Sequence, residues 1–322
     1  SQAALGGLEI SLIRADRKLA SLRGDLQSTL AATRPVGPWA IPVAQLDLQL
    51  SDLDLASLAE LTPTRLSGRI QWHEDRLSAE LKRPAARVAA DDPPALGVAA
   101  SLSLRAQAQA DALSLERVQI EIGEGAIRAA GRIGLQAPYA SVLAGQLHRL
   151  DPAAWLGRRW PAGKRWGDSL LNAGFGLRAQ LGEDALSTLT MNIVDSRLAA
   201  RPLSGLVQGT AHLSGAGAPE RLDRLALDLN HGRDRWHAQG SLGRATDSLA
   251  IEVRLTELAE FLPSLAGDAR LNARVGGRFE ALRLEADAAS RRLRSTDAEA
   301  PWQVAGLELD YRGPIDLNGL QR

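Results

Sequence analysis

Three runs of alternating residues decide the fold of this chain: Leu225-Ala-Leu227-Asp-Leu229-Asn230, Leu249-Ala-Ile251-Glu-Val253-Arg-Leu255 and Leu282-Arg-Leu284-Glu-Ala286. Successive side chains of a β-strand point to opposite faces, so each run predicts a strand with one apolar and one polar face. Strands that keep one face wet belong as a rule to antiparallel sheets. The alternation recurs along the chain, which we therefore predict to be all-β and antiparallel.

Short polar segments join these runs. His231-Gly-Arg-Asp234 leads from the first run into a strand at Arg235–Leu242, and Gly243–Asp247 leads from there to a strand beginning at Ser248. Loops of four or five residues with Gly and Asp are hairpin connections, so three strands in succession form a meander. Further strands are predicted at 5–13, 66–72, 77–82, 100–108, 126–135, 140–147, 186–194, 203–213 and 269–275.

A longer recurrence overlies the strands. Near Pro63, Pro161 and Pro263, which are 98 and 102 residues apart, a strand leads into one or two predicted turns of helix that end at the proline. A block of about 100 residues that recurs in this way predicts an elongated β-solenoid with a few short helices, continuous over residues 1–322. A β-sandwich is the alternative, but about twenty strands without a linker exceed its usual size. The first residue is not Met and the end falls in a strand-like pattern, so we expect an internal piece of a longer protein.

Composition and charge exclude several function classes. The 38 basic and 38 acidic residues balance, so no net charge attracts nucleic acid, and without cysteine there is no disulfide or thiolate site. No Gly-x-Ser-x-Gly elbow, His-Glu-x-x-His helix or phosphate-binding loop occurs, and we predict that the protein is not an enzyme and needs no cofactor. His231 and His237 flank Asp234, but no third ligand is apparent, so we predict surface histidines and no metal. The adjacent pair Asp91 and Asp92 is predicted to lie in a loop.

The aliphatic rows suggest a binding face. Aromatic residues are 4% of the chain, so large side chains are too few to fill a core. If the sheet curls, its apolar face becomes a groove suited to lipid tails, since each buried methylene is worth about 0.8 kcal/mol. The predicted lining is Leu46, Leu48, Leu50, Ile120, Ile122, Leu225, Leu227, Leu229, Leu249, Ile251, Val253, Leu255, Leu282, Leu284, Leu307 and Leu309. The alternative is a rigid structural spacer or adhesin whose apolar face is a packed core. A polysaccharide-active β-helix enzyme is a more remote option.

One basic and aromatic cluster, residues 158–166, has two interpretations. Arg158-Arg-Trp160 and Lys164-Arg-Trp166 combine side chains that suit an anionic lipid surface. The simpler interpretation, which we favour, is a solvated loop whose tryptophans cap an apolar core.

Two stretches carry a family resemblance. Leu203-Ser-Gly205-Leu-Val-Gln-Gly209 and the segment from Leu227 through Gly240 to Pro263 resemble the TamB family, which belongs to the AsmA-like superfamily. Members repeat a glycine turn, a strand and a segment of the form d-L-x-x-l-x-P. The resemblance is best over about 140–290 and thinner at both ends.

The resemblance implies a taco-shaped β-sheet with a hydrophobic groove that extends through the periplasm. It also implies an anchor in the inner membrane of a Gram-negative bacterium, phospholipid transfer toward the outer membrane, and support for outer-membrane protein assembly. The partner implied is an Omp85-type outer-membrane barrel such as TamA, which would bind through regions that we expect to lie outside this sequence.

Overall fold

The structure is a computed structural model. It describes residues 2–14, 17–29, 45–54, 65–87, 97–152, 169–180, 182, 185–214, 219–260, 262, 264–296 and 301–315. The chain divides into two compact units, Ser1–Gly174 and Phe175–Arg322, with the boundary inside one strand. The prediction of one continuous repetitive piece over 1–322 stays a prediction.

The described part of unit 1 is an antiparallel ladder. Each strand from β1 to β8 pairs with the strand that follows it in the chain. The strands are β1 (Gln2–Arg14), β2 (Arg17–Thr29), β3 (Gln45–Asp54), β4 (Arg65–His73), β5 (Arg76–Arg83), β6 (Ala100–Ala108), β7 (Ala112–Ile122), β8 (Gly125–Gly134) and β9 (Ser141–Leu150). The boundary between the units falls in β10 (Leu171–Gln180).

The described part of unit 2 is a second antiparallel ladder. Pairing follows chain order, except that the short β16 lies against β18 and β15 pairs directly with β17. The strands are β11 (Leu186–Leu198), β12 (Arg201–Leu213), β13 (Pro219–His231), β14 (Asp234–Leu242), β15 (Ser248–Leu255), β16 (Leu265–Gly267), β17 (Ala269–Arg278), β18 (Ala281–Ser295) and β19 (Gln303–Ile315). The predicted all-β, antiparallel architecture is confirmed, as is the meander of β13, β14 and β15.

Bulges and glycines bend the strands of unit 2. The registers of β11 and β13 shift near Asp195 and Arg224, which have positive φ values of 46° and 50°. Such bulges increase the local twist of a sheet. Gly240, at φ 146°, lies so close to β15 that a Cβ there would be 2.1 Å from the carbonyl oxygen of Ser248. Only glycine permits this approach, and strand glycines of this kind mark tight bends.

One predicted helical turn falls within the described residues. Leu258–Glu260 form a single 3₁₀ turn between β15 and β16, which is the lower limit of the one or two helical turns that the sequence predicts. At the first site β3 continues to Asp54, three residues into the predicted helical run. The rest of that run, residues 55–60, and residues 153–160 of the second run lie outside the described residues, as do Pro63, Pro161 and Pro263.

Candidate functional site: the apolar face of the sheet

Side chains that alternate along the strands of unit 2 form one continuous apolar face. Leu227 is in direct register with Val207 on one side and Ala238 on the other, and the row continues through neighbouring strands. This central row consists of Val207, Leu227, Ala238, Ile251, Ala273, Ala286 and Tyr311. No charged side chain interrupts it.

Two further rows flank the central row on the same face. One contains Leu225, Gly240, Leu249, Val275 and Leu284, and the other contains Leu229, Trp236, Val253, Leu271, Ala288 and Leu309. We call these three rows the apolar face of unit 2. Of the predicted lining residues in this unit, eight belong to the rows. Leu255, Leu282 and Leu307 lie farther along their strands, in register with Ala269, Gly277 and Ser290.

Burial varies along this face. Leu249, Val275 and Leu282 are 7%, 9% and 4% exposed and form a cluster with Ala238 and Leu242, against which Leu227 and Ile251 pack. At the outermost strand, β19, Leu309 is 58% exposed and Tyr311 is 50% exposed. The strands of unit 2 from β11 to β19 belong to one ladder, so its described part supplies no second sheet to cover the face. The apolar side chains are covered chiefly by one another.

The opposite face of the same strands is polar. Asp228, His237, Glu252, Asn272 and Asp287 are in register from β13 to β18, and all except the half-buried Glu252 are exposed. Arg254 Nε donates a hydrogen bond of 2.9 Å to Glu252. This bond holds the pKa of Glu252 below its ordinary value, so the carboxylate stays charged at neutral pH. The sheet therefore has one apolar and one ionised face.

At one end of the strands the apolar face stops at a polar cluster. Arg201 Nη1 donates a hydrogen bond of 3.0 Å to Asp234, which is 0% exposed. His231 is also buried, at 6% exposed, and its Nε2 lies 2.8 Å from the carbonyl oxygen of Leu198, to which it donates. Here the prediction of surface histidines is wrong for His231. The loop between β13 and β14 is only Gly232 and Arg233, so His231 and Asp234 are strand residues that point to the inner face.

His237 lies on the polar face, so His231 and His237 are on opposite sides of the sheet. Within the described ranges, no group of three or more His, Asp or Glu side chains is placed to hold a metal ion. In those same ranges we find no helix with the length and apolar character required to cross a membrane. Asp91, Asp92 and the cluster at 158–166 lie outside the described residues.

Unit 1 has an apolar face of the same construction. A row of Ile70, Ala79, Leu104, Val118 and Ala129 crosses β4 to β8. The predicted lining residue Ile120 lies on this face, in register with Leu102 and Ile127, and Ile122 is in register with Ala100 and Gly125. The structure describes only the backbone pairing of Leu46, Leu48 and Leu50. These residues of β3 lie opposite Trp72, Ile70 and Gly68 of β4, respectively.

Several face residues were absent from the predicted lining. Leu271, Ala273 and Val275 of β17 and Trp236 and Ala238 of β14 are central to the face of unit 2. Both strands were predicted, and extending the alternation rule to Ala269–Val275 identifies the β17 residues. The signal in β14 is weaker, since its face residues are Asp234, Trp236, Ala238 and Gly240. Small or polar residues conceal that alternation.

Comparison of the chain with models of known protein families, with curated proteins and with solved structures gives no match in any of the three.

Proposed function

We propose that the apolar face of unit 2 binds the acyl chains of a phospholipid and that the chain is part of a periplasmic lipid-transfer protein. The observation that carries this proposal is the uninterrupted central row from Val207 to Ala286, across six neighbouring strands. Neighbouring strands are about 4.8 Å apart, so the row is about 24 Å long. Half of a bilayer's hydrocarbon core is about 15 Å thick, so one acyl chain fits along the row.

The chemistry of the two faces supports the same function. Aliphatic contacts give an acyl chain about 0.8 kcal/mol for each buried methylene and require no directed polar group. The ionised opposite face, with Asp228 and Glu252, keeps the sheet in water while the apolar face carries lipid. The resemblance of residues 140–290 to the TamB family agrees with this assignment. It extends the proposal to a protein anchored in the inner membrane that moves phospholipid toward the outer membrane and supports outer-membrane protein assembly with an Omp85-type barrel.

A rigid structural spacer is the second candidate, and the burial of residues in and beside one flanking row of the face favours it. Leu249, Val275 and Leu282 are already nearly inaccessible without any ligand. If every apolar side chain were packed in this way, the face would be a core and not a binding groove. The two functions differ in what an inserted charge does to folding and to lipid binding.

The test is Leu227→Asp, with Leu206→Lys as the charged control on the polar face, where the new ammonium group faces Asp228. Leu227 is half-buried in the central row, whereas Leu206 is 38% exposed on the polar face, in register with Asp228. In an open groove water solvates the new carboxylate when lipid is absent, so we expect Leu227→Asp to lose co-purifying phospholipid with only a small fall in melting temperature. The control should keep both its lipid and its stability.

Two results would contradict the proposal. If Leu227→Asp unfolds the protein while Leu206→Lys does not, the face is a packed core and the spacer is favoured. If Leu227→Asp folds and still carries the wild-type amount of phospholipid, this face does not bind the acyl chains. Mass spectrometry of extracted lipid and thermal unfolding on the same preparations distinguish these results.

A further inference from the structure

Arginines are concentrated at one end of unit 2, on the polar face. Arg235 of β14 is in register with Arg254 of β15, which is in register with Arg270 of β17. Like charges in direct register on neighbouring strands destabilise a sheet. Three arginines on successive strands therefore repel one another. The carboxylate of Glu252, which interacts with Arg254 and Arg270, offsets only part of their charge.

These three arginines line a cleft of about 570 Å³ together with Arg233 and Arg291. The only carboxylates in the lining are Asp268 and Glu308, so the described lining has a net charge of +3. All five arginines are exposed. The cleft is thus open to a solute and its lining is positive, in a chain whose formal net charge is zero.

Acidic neighbours hold two of the arginines in place by hydrogen bonds, and Glu252 also attracts Arg270 without a hydrogen bond. Arg254 is held by Glu252, and Arg291 Nε donates a hydrogen bond of 2.9 Å to Asp268. The guanidinium groups of Arg233, Arg235 and Arg270 make no hydrogen bond or ion pair with any residue that the structure describes. Their donors remain available to a ligand, and guanidinium groups match the oxygen geometry of phosphate well.

We propose that this cleft binds a phosphate-bearing anion through Arg235, Arg254 and Arg270. Cross-strand neighbours are about 5 Å apart, so the three guanidinium groups reach the oxygens of a single phosphate. The phosphate belongs either to a phospholipid headgroup or to a soluble phosphate compound. The three arginines lie on the face opposite the apolar rows, so phosphate binding does not depend on the proposed binding of acyl chains. Leu255 and Leu307, two of the predicted groove residues, also line the cleft.

The test compares Arg235→Gln/Arg270→Gln with the control pair Arg274→Gln/Arg278→Gln. The control arginines line a separate cleft near the other end of the same strands, where Asp247 and Glu285 balance the charge more closely. One arm titrates the full chain with glycerol 3-phosphate by calorimetry. The other measures sedimentation with phosphatidylcholine vesicles that contain or lack phosphatidylglycerol.

We expect the cleft variant to bind about tenfold more weakly and the control pair to bind like wild type. Binding in the soluble arm identifies a free phosphate compound as a ligand, whereas binding in the vesicle arm alone identifies a headgroup. The melting temperature of the cleft variant should not fall, because the substitutions relieve like-charge repulsion. The single variant Arg235→Gln removes one arginine in place of two and tests the same loss of phosphate binding with a smaller change in charge.

The proposal is overturned if wild type binds neither probe, or if the cleft variant and the control pair bind equally well. Stronger binding of a single-stranded oligonucleotide than of either probe would also overturn it, in favour of nucleic acid. Loss of lipid from Leu227→Asp concerns the apolar face alone, so each proposal can fail without the other.

Discussion

The carboxylate of Asp234 joins the start of β14 to the residue that follows β15. Its Oδ1 accepts hydrogen bonds of 2.7 Å from both the backbone N–H and the hydroxyl of Thr256. Its Oδ2 accepts from Arg201 at the start of β12. One fully buried carboxylate thus connects three segments of unit 2 at the end of the apolar face. Without it, the donors of Thr256 and Arg201 would lose their partner.

Asp234→Ala should lower the free energy of unfolding by about 3 kcal/mol, because it removes a buried carboxylate that accepts from a partly buried arginine and from two donors of Thr256. Asp228→Ala, an exposed position on the polar face, is the control and should have little effect. Urea unfolding of the two variants makes the comparison. Equal stability of the two variants would show that the buried contacts contribute nothing.

Gly240→Ala should be strongly destabilising, by about 3 kcal/mol, because an added Cβ meets the Ser248 carbonyl and the φ value suits only glycine. Gly176→Ala is the matched control, since a Cβ at this β10 glycine would have no atom within 4 Å. That control should be neutral or slightly stabilising. Thermal unfolding of both variants tests whether the bend at Gly240 is required. Similar melting temperatures for the two variants would show that the bend at Gly240 is not required.

Val253 and Leu309 belong to one row of the apolar face but should respond differently to truncation. Val253 is 8% exposed, so Val253→Ala should cost about 2 kcal/mol through lost packing. Leu309 is 58% exposed, so Leu309→Ala should cost less than about 0.5 kcal/mol although it removes more atoms. Chemical unfolding measures both. A larger cost at Leu309 would show that β19 is covered in solution.

Asp287→Asn should raise stability at neutral pH. Asp287 is in register with Asp310 on the polar face, and a hydrogen bond between the two carboxyl groups raises the pKa of Asp287. A raised pKa means that the folded protein favours the protonated form of Asp287. The contribution of the Asp287–Asp310 pair to stability is therefore smallest above that pKa and increases as the pH falls through it. The advantage of the Asn variant should therefore shrink in acid. Melting curves against pH show the trend, and an advantage that grows in acid would contradict it.

The sequence predicts the strands best where large aliphatic residues alternate with charges. Leu225–Leu229 and Leu249–Leu255 are of this kind, and both fall inside the observed strands. In β2 the leucines at 19, 22 and 26 have the spacing of a helix, and in β10 Gly174 and Gly176 weaken the strand pattern. Those two strands were not predicted. A local sequence pattern identifies a strand only when apolar and polar side chains alternate within that strand.

Contacts between strands are harder to predict than the strands themselves. Asp234 looks like a hairpin-loop residue from its neighbours Gly232 and Arg233, yet a two-residue turn makes it the first residue of β14. The row of Arg235, Arg254 and Arg270 likewise depends on the register of three strands, since the residues are 19 and 16 positions apart in the sequence. Alternation identifies the face on which each arginine lies but does not align one strand with the next.

The pairing of each strand with a close neighbour in the chain has a consequence for how the protein folds. Within each unit, most strands follow their partner after a short connection, such as Gly232 and Arg233 between β13 and β14, so little chain entropy is lost at those steps. The longer segments 30–44 and 84–99, which precede β3 and β6, are exceptions. All-β proteins usually fold slowly because their contacts join distant residues, and these ladders avoid much of that delay. A nascent chain can therefore add β14 to β13 as soon as it emerges from the ribosome. Each ladder can grow during synthesis without waiting for the residues that come last.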